Sequence, residues 1–469
     1  MQTDLDGLLH DAASLRGFIL AIVQFCEEHE RSQTYLDSTY DFLGYVSRLG
    51  NRTVEHLQAL IDEASRFKRW VREYRQKLVL IKRCWALLHS FVKPAADAHT
   101  LRIPVAFLQL LEDEIRTIPQ FTKSRIVPLL SSELNYFQHR HTRLKRLGNE
   151  LRSIIPNAEP FPEGLGFIAI PYSQGSSVFA NVLIYHEAAH FVAEELSRRS
   201  DLSSYVAEEL STSIYESLKM AFGHSFENAS ERTRSWCSRL LARWCEEIYC
   251  DLFAIHLVGP AFTFAAVELF DLMGLLSEEE EAVDFSDSHP ADACRFKEHV
   301  RILKSFGWWP SLVSLRTEQA KLVAKLAGID EGEYSFSSQE EEFGSRLIKA
   351  FLRVRSRIRT LVKGIVGRDR SERKEFVTYN STIRQYLNHG VVPSTVVFRN
   401  RLDFPTPIAV INAAFFFYLQ GLPGLSDRLT TSRSAMGIKR RSELQAKVQM
   451  WTMKALEDHR LLRDQQERV

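Results

Sequence analysis

Val182-Leu-Ile-Tyr-His186-Glu187-Ala188-Ala189-His190-Phe-Val-Ala-Glu-Glu-Leu196 is the stretch on which the reading of this chain turns. Residues four apart on an α-helix lie one turn from each other on a single face, so His186 and His190 can aim their imidazoles at one point. That is the placement of two metal ligands. Val182, Leu183 and Ile184 before the histidines, and Phe191, Val192 and Leu196 after them, would bury the remainder of such a helix. Glu187 directly follows the first histidine. From there its carboxylate reaches a water at the shared point without being a ligand itself, which is how the HExxH spacing supplies a general base.

A catalytic zinc takes three protein ligands and keeps a position for water, so two histidines predict a third donor downstream. Trp244-Cys-Glu246-Glu247-Ile-Tyr-Cys250-Asp251-Leu-Phe-Ala254 offers one. Glu247 and Asp251 are again four apart, on a helix otherwise made of Trp244, Ile248, Tyr249, Leu252 and Phe253. Two acids on one face of an apolar helix repel each other and resist desolvation, and a cation reverses that sign. Glu247 is expected as the third ligand, and Asp251 as the carboxylate that holds a ligand histidine in one tautomer and orientation. Glu246 is the competing ligand, but four residues beyond it stands Cys250, which cannot serve as that carboxylate.

HExxH followed by ExxxD resembles the signature of the gluzincin zinc metallopeptidases. Ser288-His289-Pro290-Ala-Asp-Ala-Cys-Arg295 is in turn similar to the HPxxxxR segment of the CAAX-prenyl endopeptidase family. The resemblance spans residues 160–300. It implies a zincin-like core with Zn2+ as cofactor, and it implies that His289 lies beside the metal and stabilises the developing oxyanion, with Arg295 organising that side of the site. An oxyanion donor is often the largest single catalytic contribution, which makes the role physically reasonable. It also implies an edge strand ahead of the active-site helix that pairs with extended substrate. Gly166-Phe167-Ile168-Ala169-Ile170-Pro-Tyr172 is rich in β-formers and closed by a proline suited to an edge, so Phe167, Ile168, Ala169 and Ile170 are the expected substrate-binding residues by strand addition. A short structural hairpin is the competing reading.

Around this centre the chain reads as helix. The 469 residues exceed one domain, and a 45% hydrophobic share with 25% charged residues is ordinary globular usage. Leu57, Leu60, Ile61, Ala64, Phe67, Val71, Tyr74, Leu78, Ile81, Cys84, Leu88 and Phe91 form one helical stripe, read as a single long helix that packs on partners. Three prolines and a glycine between Pro156 and Gly164 mark a first boundary, and the polar segment from Gly328 to Ser338 a second. The expected plan is mainly α: an N-terminal helical bundle or hairpin over 1–158, a zincin-like core with a small β element over 159–328, and a C-terminal helical domain over 329–469. Pro407 to Leu419 reads as a buried helix. His256, five residues past Asp251, points elsewhere around the helix and is set aside as a ligand.

Sixty basic against 59 acidic residues give a net charge of +1, so no whole-molecule field recruits nucleic acid or anionic membrane. The dense basic cluster from Arg353 to Arg359 reads as a salt-bridged helix, with the acidic runs at Glu278 to Glu281 and Glu340 to Glu342 as partners. Six scattered cysteines without a CxxC pair read as reduced thiols, and a signal peptide is absent from the first residues, so a cytoplasmic location is expected. Ala409 to Leu419 is too short for a bilayer core of about 30 Å, and Phe262 to Leu276 is interrupted by Glu268 and Asp271, so no membrane helix is expected. The function these features imply is hydrolysis of a peptide or protein substrate, with Glu187 as general base and a regulatory partner acting through the helical flanks. The competing reading is an inert helical scaffold or nucleic-acid-associated protein with a vestigial gluzincin core.

Overall fold

Apolar residues at three- and four-residue spacing make most of the chain helical, and the computed structural model is mainly α. It describes residues 2–30, 36–66, 71–98, 105–132, 136–139, 141–173, 177–197, 204–272, 289–290, 292–314, 317–328, 341–367, 372–419 and 435–466. Glu278 to Glu281 and most of the expected second boundary lie outside these residues. The chain forms two compact units, Met1–Ser176 and Ser177–Val469.

In the first unit the helices are α1 (Gln2–Glu30), α2 (Asp37–Arg66), α3 (Val71–Asp97), α4 (Val105–Arg116) and α5 (His141–Ile154). The apolar stripe from Leu57 to Phe91 belongs to two helices rather than one. Tyr74 Oη donates to Glu63 at 3.3 Å and Trp85 Nε1 donates to Thr53 Oγ1 at 3.3 Å, so residues pair in opposite order along α2 and α3, as in an antiparallel hairpin. The stripe keeps its period because both helices turn it to the same core.

Strands β1 (Arg125–Ser131), β2 (Phe137–His139) and β3 (Leu165–Pro171) form a sheet in the order β1-β3-β2. β3 pairs parallel with β1 along its whole length, and antiparallel with β2 opposite Phe167 to Ala169. It is therefore the central strand and wholly buried, with Phe167 edge-on to Phe42 at 5.0 Å and Phe91 at 5.4 Å. This corrects the edge-strand expectation: Phe167, Ile168, Ala169 and Ile170 have their backbone engaged in the sheet and offer no row of unpaired groups to a substrate. The strand begins after Gly164 (φ +75°), where a Cβ would come within 2.9 Å of the Lys123 carbonyl oxygen. Only glycine fits that close approach.

α1 carries the one segment among the described residues, Leu5–Glu30, that is long and apolar enough to cross a membrane by length and composition. Its Leu8, Leu15, Ile19 and Val23 lie in the hydrophobic core with residues of α2 and α3.

The second unit begins with a 3-10 turn, Ala180–Leu183, that runs into α6 (Ile184–Leu196). Helices α7 (Tyr205–Phe222), α8 (His224–Glu227), α9 (Glu231–Val258), α10 (Pro260–Leu272), α11 (Asp292–Ser305), α12 (Trp309–Val313), α13 (Glu318–Gly328), α14 (Glu341–Val366) and α15 (Glu372–Asn388) follow. A two-stranded hairpin, β4 (Val396–Phe398) and β5 (Arg401–Asp403), precedes α16 (Pro407–Leu419) and α17 (Ala435–Gln466). α9 is the centre of this unit. It starts at Ser230, whose side chain accepts from Thr233 N, and packs against α6, α7, α11 and α14. Because α14 lies on α7 and α9, the C-terminal region shares a unit with the HExxH helix instead of forming a third domain, while β3 joins the N-terminal unit through its pairing with β1.

Candidate metal centre

α6 brings His186 and His190 against the acidic face of α9. His186 Nδ1 lies 2.8 Å from Asp251 Oδ1 and His190 Nδ1 lies 3.1 Å from Glu246 Oε1. A carboxylate accepts only, so each Nδ1 carries the proton it donates and each Nε2 is left to face the centre. Both Nε2 atoms converge on one carboxylate: His186 Nε2 stands 3.3 Å from Glu247 Oε2, and His190 Nε2 stands 3.5 Å from Glu247 Oε1. The rings are 5.0 Å apart and inclined at 78°. Asp251 thus stands behind the His186 ring, and Glu246, the competing ligand, stands behind the His190 ring.

Two imidazole lone pairs aimed at a buried carboxylate repel it unless a proton or a cation lies between them. Glu247 Oε2 is buried and hydrogen-bonded to nothing among the described residues, since the 3.3 Å approach of His186 Nε2 is not aligned as a hydrogen bond. Donors around a tetrahedral zinc, each roughly 2.0 to 2.2 Å from the ion, stand about 3.4 Å from one another. The His186–Glu247 and His190–Glu247 separations fit that figure. A second grouping leaves Glu247 out: Cys250 Sγ and one ring nitrogen each of His186 and His190 all lie within 4.8 Å of one another.

The electrostatics are those of a desolvated cluster of opposite charges. Burial works against ionisation of Glu247, but His186 and His190 hold its carboxyl well below the usual carboxylate range. Burial likewise works against protonation of His186, which its Asp251 and Glu247 partners nevertheless push up to about 9. His190 is held well above its ordinary range against the same burial by Cys250, Glu246 and Glu247, while burial pushes the Cys250 thiol up.

Below this layer Asp251 is fully enclosed, and Arg295 of α11 donates to it twice, Nε to Oδ2 at 2.8 Å and Nη2 to Oδ1 at 2.7 Å. Burial would raise the Asp251 carboxyl, yet Arg295, with His299 and His186, holds it well below the carboxylate range. Arg295 is itself only 7% exposed. Its guanidinium is engaged by Asp251, with Nη2 also 3.9 Å from Glu247 Oε2. His299, one turn beyond Arg295, puts Nε2 3.0 Å from Asp251 Oδ2 and was missed in the sequence. Its position four residues past Arg295 was the available signal, because that spacing returns to the same helical face.

His289 Nε2 lies 3.5 Å from Glu247 Oε2, and its side chain is 48% exposed, so it is the histidine of the group that meets solvent. Ser288 lies outside the described residues. The Glu187 carboxylate, on the same helix as both ligand candidates and 9% exposed, is engaged by no hydrogen bond or ion pair among the described residues. His256 packs edge-on to Phe306 at 4.7 Å. In the basic cluster Arg355 pairs with Glu298 at 3.8 Å, Arg357 donates to Ser213, and, just before the cluster, Arg346 pairs with Glu342. No family model matches the chain, and neither a curated protein nor a solved structure does.

Proposed function

We propose that this chain is a zinc metallopeptidase with a zincin-like core, in which His186, His190 and Glu247 hold the metal. The observation that carries the proposal is the convergence of both Nε2 atoms on the two oxygens of one buried carboxylate, each histidine being oriented from behind by its own acid. Bound there, zinc would supply a Lewis acid that lowers the pKa of a water and polarises a carbonyl. Glu187 has a carboxylate with no competing partner among the described residues, so it takes the proton of the attacking water and delivers it to the nitrogen of the leaving amine. His289, exposed at the rim beside Glu247, donates to the oxygen on which negative charge develops. Arg295 and His299 hold Asp251, Asp251 holds His186, and the ring keeps its aim without touching substrate. The substrate is a peptide or protein, and six buried cysteines, none in a disulfide, suit the cytoplasm as its setting.

Metal analysis of the purified chain and of Glu247→Ala, together with a peptidase assay of Glu187→Gln on a denatured protein substrate, tests this. Wild type is expected to hold one zinc, Glu247→Ala to lose most of it, and Glu187→Gln to keep the metal while losing about 10²- to 10⁴-fold in rate. Wild type without stoichiometric zinc, or a Glu187→Gln that cleaves as fast as wild type, would refute it.

A further inference from the structure

Cys250 is the donor beside the two histidines that the mechanism above leaves unused. It stands three residues past Glu247 on α9, fully buried, in no disulfide, with Sγ within 4.8 Å of one ring nitrogen of His186 and one of His190. Glu247 Oε2 is a second sign of a ligand in the same space, since it is nine-tenths buried and makes no hydrogen bond among the described residues, although His186 Nε2 at 3.3 Å, His289 Nε2 at 3.5 Å and Arg295 Nη2 at 3.9 Å surround it. His186, His190 and Cys250 form one group of donors, and Glu247, whose oxygens stand 3.3 and 3.5 Å from the two Nε2 atoms, would make a fourth. Four protein donors complete a tetrahedral zinc and make a closed site, whereas hydrolysis requires one position for water.

We propose that Cys250 is a fourth ligand that closes the metal centre at rest, so that water reaches Glu187 only when the sulfur leaves. The inference rests on the metallopeptidase reading and adds a device that controls it. On closing, the Cys250 thiol would give up its proton and take the place of the metal's water, which would leave to solvent. Opening reverses these steps, and no electron changes hands. A thiolate also biases the site towards zinc or cobalt over magnesium or calcium, which prefer oxygen donors.

Cobalt(II) loaded into the full chain and into Cys250→Ser reports sulfur directly, because a thiolate ligand adds a sulfur-to-cobalt charge-transfer band in the near ultraviolet. One cobalt per chain in both proteins is expected, with the band present in wild type and lost in Cys250→Ser. One cobalt without the band in wild type overturns the proposal and leaves the metallopeptidase reading standing, as does a band that survives in Cys250→Ser. No stoichiometric metal in either protein overturns both. Should Cys250→Ser fail to fold, Cys250→Ala replaces it. X-ray absorption at the zinc edge of wild type needs no variant: a sulfur shell at about 2.3 Å is expected, and a shell of nitrogen and oxygen alone overturns the proposal.

Discussion

Asp251 is the residue on which the aim of His186 depends, because its two oxygens are shared between that ring, the Arg295 fork and His299 inside a space without solvent. Asp251→Asn removes the negative charge while keeping the volume. A buried guanidinium without its partner costs on the order of 3 to 5 kcal/mol, and a ligand histidine without its orienting acid typically loses about 10- to 100-fold in metal affinity. Urea denaturation and competition with a coloured chelator would measure the two losses, and a variant unchanged in both removes Asp251 from its assigned role. If the metal site is as proposed, the same partners would make zinc uptake depend on pH. With His186 pushed up to about 9, a metal entering at lower pH displaces a proton from the ring, so affinity rises as pH goes from 7 to 9 by about tenfold per unit for each proton displaced. Glu247, held ionised, adds no slope of its own over that range. Affinity that is flat or falling in chelator competition over this range contradicts the assignment. His186, His190, Glu247 and Asp251 were legible because their spacing of four is itself the geometric statement. Glu246 and Cys250 were not, since what gives them meaning is the approach of His190 from a different helix.

A buried polar residue joins three helices at the far end of α9. Asn412 is the polar side chain within the apolar run of α16, and it accepts from Ala261 N at 3.0 Å while donating to Val258 O at 2.8 Å and Ile408 O at 2.9 Å. It thereby satisfies a terminal carbonyl of α9 and a terminal amide of α10, groups a helix cannot satisfy by itself. Gly259 makes the turn between them at φ +72°, with the Asn412 amide so close that a Cβ would meet its nitrogen at 3.2 Å. Asn412→Ala leaves the Ala261 amide and the Val258 carbonyl unpaired in the interior, at about 1 to 3 kcal/mol each. Denaturant unfolding should show a loss of at least 2 kcal/mol, and a loss below 0.5 kcal/mol would mean that water or relaxation takes over both bonds. The buried helix from Pro407 to Leu419 follows from its apolar run, but the task of Asn412 does not, because its partners lie about 150 residues earlier in the chain. β3 shows the same limit. Its β-formers announce a strand, but its place in the sheet is decided by β1, whose Pro128 is compatible with an edge and makes Arg125 to Ser131 a poor strand candidate on its own.

At the scale of the molecule, the two units answer to different ligands. All the proposed metal donors lie in Ser177–Val469, so zinc bound as proposed, at about 100 times its Kd, would add roughly 2.7 kcal/mol to that unit alone. In Met1–Ser176 the sensitive group is Glu112, buried on α4, which accepts from Ile126 N at 2.7 Å and from Arg116 Nη2 at 3.0 Å. Burial outweighs those bonds and pushes its carboxyl up to about 7. Between about 4.5 and 7 the folded unit therefore holds more protons than the unfolded chain, and its stability falls as pH rises through that window, by up to about 3 kcal/mol from this group. Glu112→Gln keeps an oxygen for the Ile126 amide and removes the titration. Calorimetry of the full chain is expected to show two transitions: one that moves up with zinc and down with a chelator, and one that ignores both. The second should weaken in wild type from pH 4.5 to 7 more steeply than in Glu112→Gln. Parallel pH profiles in the two proteins would remove Glu112 as the cause, and a single transition shifted as a whole by zinc would mean that the units unfold together, with the metal stabilising both.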